Sequence, residues 1–485
     1  MTLTLTFVGH QTWLVEGDGH RILVDPVLGR GFGLSPELEF RIWPPRDAVE
    51  PGALGPLDAL VLTHEHLDHF HLPTLARLDR TVPVFTGPLL PAAVSEAIES
   101  LGFTVHRTDH TGLIRYGELT MRLFPAGART LFWEKRVVQP VVRVGDGPAV
   151  VIGVDADLSD VYVDEIQAGR EPMPRMAVVS NNSQIRPAPA DTGNLLPGAG
   201  DERSRKSGLH VLNELLLAYL RPLDGLTDVA LCGNGFLPAH SPHGPYLYAD
   251  HPAMAALANA SQDLFRVHGP RPGDRLTVPA EDPVTRDRVG WVTIDEEFEA
   301  EQLAAHAAYL TDPFAPPLIP IAPPIDDLPA ALTELDAELP RLGRDLVPTP
   351  AAQLAVSIHE YLTGPLGPHR IYLALTDGPD GRTLHYAWNA TTAAFDPADP
   401  LALDEAMGVY PFGMTMPLQD LIGILRGHVQ VWDVAGTTAR FWNIGRPLDS
   451  LVYSLFAVYG EHQRPDLAAR SYAYALGHLD ARHTG

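Results

Sequence analysis

The sequence predicts an α/β chain in which two β-sheets are covered by helices, followed by a smaller α+β domain. Three observations predict it. Short apolar or alternating segments recur along residues 3–232, with a few helical patterns between them. A Pro-rich stretch over 312–350 then interrupts the pattern, and beyond it helices alternate with a hairpin. The 485 residues allow two or three domains at roughly 100–200 residues each.

Residues 3–8 and 21–25 read as strands joined through the turn EGDGH, so the chain opens as a hairpin. Further strands are expected near 58–62, 82–86, 119–124, 137–144, 149–154, 176–180 and 228–232. Apolar residues at helical spacing predict helices over 72–79, 91–101 and 206–220, the last strongly amphipathic. Residues 186–205 are rich in Pro, Gly and charge and read as an exposed loop insertion. The ten prolines of 312–350 predict a semi-rigid connector with a short helix near 328–339. The expected division is therefore 1–311, the connector 312–350, and a C-terminal domain over 351–485. Within that domain, 351–363, 416–426 and 448–461 are expected to be helical, and 370–377 with 383–390 to form a hairpin around DGPDG.

Composition excludes several classes of function. With 35 Lys and Arg against 60 Asp and Glu, the net charge of −25 opposes binding to nucleic acid or to an anionic membrane face. The single cysteine, Cys232, excludes a disulfide framework and any Cys-ligated cluster built within this chain. No apolar run approaches the roughly 18 residues of a membrane span, and a reducing, cytoplasmic setting is expected.

One segment carries the chemistry. After the apolar strand DALVL comes Thr63-His64-Glu65-His66-Leu67-Asp68-His69, an H-x-H-x-D-H pattern. His64 and His66, two residues apart beyond a strand end, project to one side, where imidazole nitrogens can share a divalent metal ion. Asp68 and His69 follow on the next turn and point toward a second ion. His71 lies outside the pattern and reads as solvated or as a support for the ligands.

With these residues the sequence resembles the metallo-β-lactamase superfamily, which implies an αββα sandwich holding a metal pair at one sheet edge. Phe7-Val8-Gly9-His10 with Ile22-Leu23-Val24-Asp25-Pro26 resembles the opening of the branch containing ascorbate-phosphate lactonases and N-acylphosphatidylethanolamine phospholipases. His10 and Asp25 then either buttress the site or are structural. Two nearby dications need an anion between them. The resemblance implies that Asp155, at the end of AVVIGVD, is the bridging carboxylate, with Asp157 as the alternative register. The superfamily's third motif supplies a His, and here the chain departs: His106 and His110 come too early, and Leu131-Phe132-Trp133-Glu134 offers Glu134 instead. A carboxylate in so apolar a segment must bind metal or pair, with Lys135 or Arg136 as neighbours. The last ligand is expected from His210 or His240, with His243 behind them.

A site richer in carboxylate than the usual zinc hydrolase favours iron, because harder oxygen ligands suit it. The Glu at this position resembles the di-iron β-hydroxylase of chloramphenicol biosynthesis. CGNGFLPAHSPHGPYLYADHP, the strand Ala177-Val178-Val179-Ser180, and the tail with Val431-Trp432-Asp433 and Arg446-Pro447 resemble the lactamase-fold part of CMP-N-acetylneuraminate hydroxylase-type oxygenases. The resemblance implies a di-iron monooxygenase acting on a small metabolite, in which Asp68, Glu134 and Asp155 take part in catalysis. Those hydroxylases carry a Rieske cluster that a lone Cys232 cannot build, so an external ferredoxin or reductase is expected as electron donor. The alternatives are a dinuclear zinc or manganese hydrolase of a phosphoester, lactone or amide, and a binding module that keeps its metals without turnover. His359-Glu360 lacks a second His one turn on and reads as a surface pair. The apolar C-terminal segments read as core. Their resemblance to a small lipid-carrier-like α+β fold implies a cap over the active site or a homodimer contact.

Overall fold

The computed structural model describes residues 1–35, 38–130, 134–180, 184–185, 220–233, 236–238, 247–248, 251–306, 320–361, 367–444 and 451–479. The loop 186–205 and all but the last residue of the helix expected over 206–220 lie outside them, as do His210, His240 and His243.

Two sheets face each other in the amino-terminal domain. One has eight strands in the order Thr285–Arg288, Asp274–Pro279, Thr2–Gly9, Thr12–Gly17, His20–Val24, Ala59–Leu62, Val84–Thr86, Val105–Arg107. The other has seven, running Arg266–His268, Asp228–Cys232, Met176–Ser180, Ala149–Ile152, Val138–Val144, Leu119–Pro125, Ile114–Tyr116. Side chains alternate across each strand. Leu3, Leu5, Phe7, Ile22, Val24 and Val61 of the first sheet meet Leu119, Met121, Leu123, Val150 and Val178 of the second in a buried inter-sheet core. The opposite faces are covered by helices. Leu14, Leu23, Leu60 and Leu62 pack with the helix Ala92–Ser100, while Val151, Ala177 and Val229 pack with Tyr162 and Met254 from the helices Asp160–Gln167 and His251–Ser261. Helix, sheet, sheet and helix form the αββα sandwich.

The opening differs from the expected hairpin. A strand over Thr12–Gly17 stands between the two, pairing antiparallel with both, so the chain begins as a three-stranded meander. Trp13 and Val15 face the inter-sheet core and Leu14 the helix layer, so this strand is buried on both sides and lacks the polar alternation that would have marked it.

Beyond residue 320 a five-stranded sheet, ordered Ala394–Pro397, Leu384–Asn389, His369–Thr376, Phe412–Pro417, Arg440–Asn443, carries several helices on one face and the short helix Leu403–Val409 on the other. The hairpin DGPDG joins its expected partners. The segment expected to be a short helix near 328–339 is one helix, Leu328–Asp345, with Pro340 inside it. Pro340 removes a backbone donor without ending the helix, and Leu335, Leu339, Leu342 and Leu346 bury against Ile371, Leu373 and Trp388. The second half of the Pro-rich stretch is therefore part of the C-terminal core. No helix among the described residues is long and apolar enough to cross a membrane.

Candidate metal centre

The site forms where parallel strands end. His20–Val24 and Ala59–Leu62 run parallel in one sheet, and Ala149–Ile152, Met176–Ser180 and Asp228–Cys232 run parallel in the other. Asp25, Thr63 to His69, Asp155 and Ser180 occupy or follow their carboxyl ends, the edge where open α/β sheets leave room for a site. Three residues there have left-handed backbone: His10 at φ 53°, Asp25 at φ 46° and Val154 at φ 53°. For a β-branched valine this conformation is strained, and it turns the chain abruptly before Asp155.

Asp25 anchors the metal-binding loop. Thr63 donates to it from its backbone N–H (2.8 Å) and its hydroxyl (2.7 Å), and His69 donates from Nδ1 (2.7 Å). His69 Nε2 then faces Asp155 Oδ2 at 3.2 Å and Asp68 Oδ2 at 3.4 Å. His69 itself is fully buried, which disfavours its cation, but Asp68, Asp25 and Asp155 outweigh burial and hold its pKa well above the ordinary imidazole value. Conversely, His69 keeps Asp68 well below the carboxylate range and Asp155 below it, against their own burial. His10 contributes to Asp68 through a 2.8 Å contact from Nε2. Asp155 Oδ1 is fixed by Gln11 Nε2 (2.9 Å) and Ser180 Oγ (2.7 Å).

His64 is the opposite case. Burial and the neighbouring His69, His66 and Arg136 push its pKa well below the usual value, so its imidazole is neutral. Its Nδ1 lies 3.1 Å from Thr63 Oγ1, while its buried Nε2 has no hydrogen-bond partner. A buried, neutral, unpartnered nitrogen surrounded by carboxylates is the environment that a bound cation satisfies. His64 shares one set of converging ligand atoms with His66 and Glu134 and a second with His69 and Asp155. These donors suit divalent metals, including iron and zinc.

Glu134 thus meets the histidine pair. Its Oε1 lies 3.7 Å from His66 Nε2, and Arg136 Nη1 donates to its Oε2 at 3.3 Å. Burial raises its pKa, with His66 and Arg136 opposing. Of the two expected pairing partners, Lys135 instead donates to the carbonyls of Gly127 (2.8 Å) and Ala128 (2.6 Å). Arg136 also donates from Nη2 to His66 Nε2 at 3.0 Å and pairs with the fully buried Glu65. Glu65 stands between the two histidines of the motif, where spacing alone marks it as a mere separator.

Other expected residues fall outside the cluster. Asp68 sits beside His69 but belongs to neither converging set. Asp157, the alternative register, is partly exposed and 3.9 Å from Arg129. His106 stacks on Phe85 and His110 on Phe124. His71 is not solvated: it is buried, with Nδ1 2.8 Å from Thr74 Oγ1. Gln11, Arg136 and Trp432 join the site from outside the motif. The Trp432 ring, from the C-terminal domain, lies 6.1 Å from the His66 ring and 5.7 Å from Phe40.

Residues 4–132 match the family model described as a β-lactamase superfamily domain. An uncharacterized protein of Mycobacterium tuberculosis is 33% identical over 129 residues, 26% of this chain and 33% of that one, so the match spans a third of the relative's length. Similar solved structures include a possible metal-dependent hydrolase from Veillonella parvula, 15% identical over 57% of this chain and 99% of that one with a TM-score of 0.40. They also include CmlA, a diiron β-hydroxylase from Streptomyces venezuelae, 17% identical over 57% of this chain and 54% of that one with a TM-score of 0.36. At such values the two structures carry no functional weight, and the chemistry rests on the chain's own residues.

Proposed function

With the amino-terminal sandwich a metallo-β-lactamase-fold domain, the fold of metal-dependent enzymes, we propose that this protein is a non-haem di-iron oxygenase, a hydroxylase or N-oxygenase of a small metabolite. The observation that carries the proposal is Glu134, which joins His64 and His66 where a zinc hydrolase of this fold would place an imidazole. His64, His66 and Glu134 would hold one ion; His69, Asp68 and the bridging Asp155 would hold the other, with His210 or His240 completing its shell. Two iron ions there would supply activation of O2, with electrons delivered by a ferredoxin or reductase, since the one cysteine is buried and cannot carry a cluster.

The remaining chemistry belongs to side chains. Asp25 accepts the Nδ1–H hydrogen bond of His69 and so turns Nε2 toward Asp155 and Asp68. In the metal-free protein the three aspartates favour a second proton at His69 Nε2, which a bound cation would displace. Gln11 and Ser180 fix one oxygen of Asp155 and leave the other facing His69. Arg136 restrains Glu134 and balances Glu65 behind it.

A dinuclear zinc or manganese hydrolase is the second reading. It is favoured by three converging imidazoles, with the His64 ring 4.6 Å from that of His66 and 4.0 Å from that of His69, a donor set that zinc also takes. Elemental analysis of protein produced without added zinc separates the two. More than one iron per chain, with an iron–carboxylate absorption lost on reduction, supports the oxygenase; zinc alone refutes it. Glu134→His should abolish iron retention in an oxygenase and preserve zinc retention in a hydrolase.

A further inference from the structure

A cavity of about 830 Å³ lies between the two domains, within the roughly 300–1,000 Å³ typical of small-molecule sites. His66 and Arg136 open onto it from the metal centre, and the C-terminal domain supplies most of the remaining wall. Trp432 places its indole beside His66, with Nε1 already satisfied by Gln430 Oε1 at 2.6 Å, so its ring presents an apolar surface. Phe456 adds a second aromatic wall.

The charges around this space are unevenly paired. Two acids face it, Asp345 and Glu461. Asp345 is paired with Arg341 at 3.3 Å, and Glu461 faces Arg136. Arg136 is already shared between Glu65 and Glu134. Two cations remain beyond these pairings: Lys135, whose ammonium touches only carbonyl oxygens, and Arg344, which has no ion pair among the described residues. A cavity whose wall combines apolar side chains with two cations that lack a carboxylate partner among the described residues, with His66 at its edge, suits a molecule with an apolar body and one anionic end.

We propose that this interdomain cavity is a binding site for a small organic anion, an aromatic or alkyl carboxylate, held by Arg344 with its apolar body against Trp432 and Phe456 beside His66. It rests on the metal-centre reading in one respect: the bound molecule is then the substrate, presented to His66 by the second domain. The oxygenase would accordingly act on amphipathic acids.

The test uses full-length protein freed of metal by a chelator and titrated calorimetrically with 3-phenylpropanoate, its neutral amide and its cationic amine. The carboxylate should bind on the order of tenfold more tightly than the amide, and the amine should bind most weakly. Arg344→Gln, at an exposed position, should remove that preference. Ala457→Trp, at a half-buried position lining the cavity, should abolish binding of all three. Arg382→Gln, exposed on a distant turn, should change nothing. Equal affinity for acid and amide, no binding of any probe, or undiminished binding after Ala457→Trp would overturn the proposal. If Ala457→Trp does not fold, the probe series and Arg344→Gln still decide it. Because no metal is present, the outcome is independent of whether iron or zinc is later found.

Discussion

Asp155 and Asp420 are both largely removed from water, and each accepts hydrogen bonds from several donors, yet their affinities for a proton shift in opposite directions. Asp420, in the C-terminal core, accepts from the backbone N–H of Ile321 and Ala322, each at 2.9 Å, and from Thr438 Oγ1 at 2.6 Å. All three donors are neutral, burial prevails, and its pKa is pushed up to about 6. Asp155 accepts from Gln11, Ser180 and His69, and the imidazolium reverses the balance so that the carboxylate stays charged. Neutral donors therefore offset burial only in part at Asp420, whereas the imidazolium at Asp155 more than offsets it. One carboxylate stitches two segments together, and the other waits for a partner.

The sharpest way to break this comparison is to remove the cation on the metal side. Arg136→Met would strand Glu65 as a buried charge, and the expected loss is about 3–5 kcal/mol in urea denaturation. A loss under about 1 kcal/mol would show that water reaches Glu65 after all.

Exchanging the two aspartates should give crossed phenotypes. Asp420→Ala leaves two backbone donors unsatisfied and should cost about 3 kcal/mol while metal content is unchanged. Asp155→Ala should weaken retention of the second ion by at least about a hundredfold, measured by metal analysis after dialysis, with the metal-free protein remaining folded.

The pH dependence sharpens the contrast further. The folded carboxyl of Asp420 binds its proton more tightly than an unfolded aspartate, so its contribution to stability falls as pH rises from about 4 to 6. Asp155 runs the other way: its folded pKa is lowered, so its contribution is present above the unfolded value and is lost as acid protonates it. Relative to wild type, Asp420→Asn should flatten the first slope by up to about 1.4 kcal/mol per pH unit, and Asp155→Asn should act only on the acid side. Parallel slopes in the two variants would erase the distinction. The smallest effect is expected at Lys135→Met, under about 1 kcal/mol, because the ammonium there touches only carbonyl oxygens.

What was legible in the sequence was local. The spacing of His64, His66, Asp68 and His69 exposed the motif, and the strand Ala149–Ile152 led to Asp155 because an apolar run ending in a carboxylate is visible in a window of a few residues. Glu134 was visible as a charge out of place. Pairings between distant segments were not visible: Gln11 with Asp155, Glu65 with Arg136, and Trp432 with His66 depend on strand order and domain packing. The strand Thr12–Gly17 is hard to see because both its faces are buried, and the helix Leu328–Asp345 continues through Pro340, a residue type that ordinarily breaks a helix.

The last helix, Pro465–Gly477, lies across the outside of the metal domain. Ala468, Tyr472 and Ala475 pack with Val94, Ala97 and Phe70, the Tyr472 ring 5.4 Å from that of Phe70. The chain's tail thus serves as part of the outer shell of its beginning. Severed from that tail, the sandwich would present an oily flank to water, so a cut at the proline-rich joint would bare surface that the two halves now hide from solvent for each other.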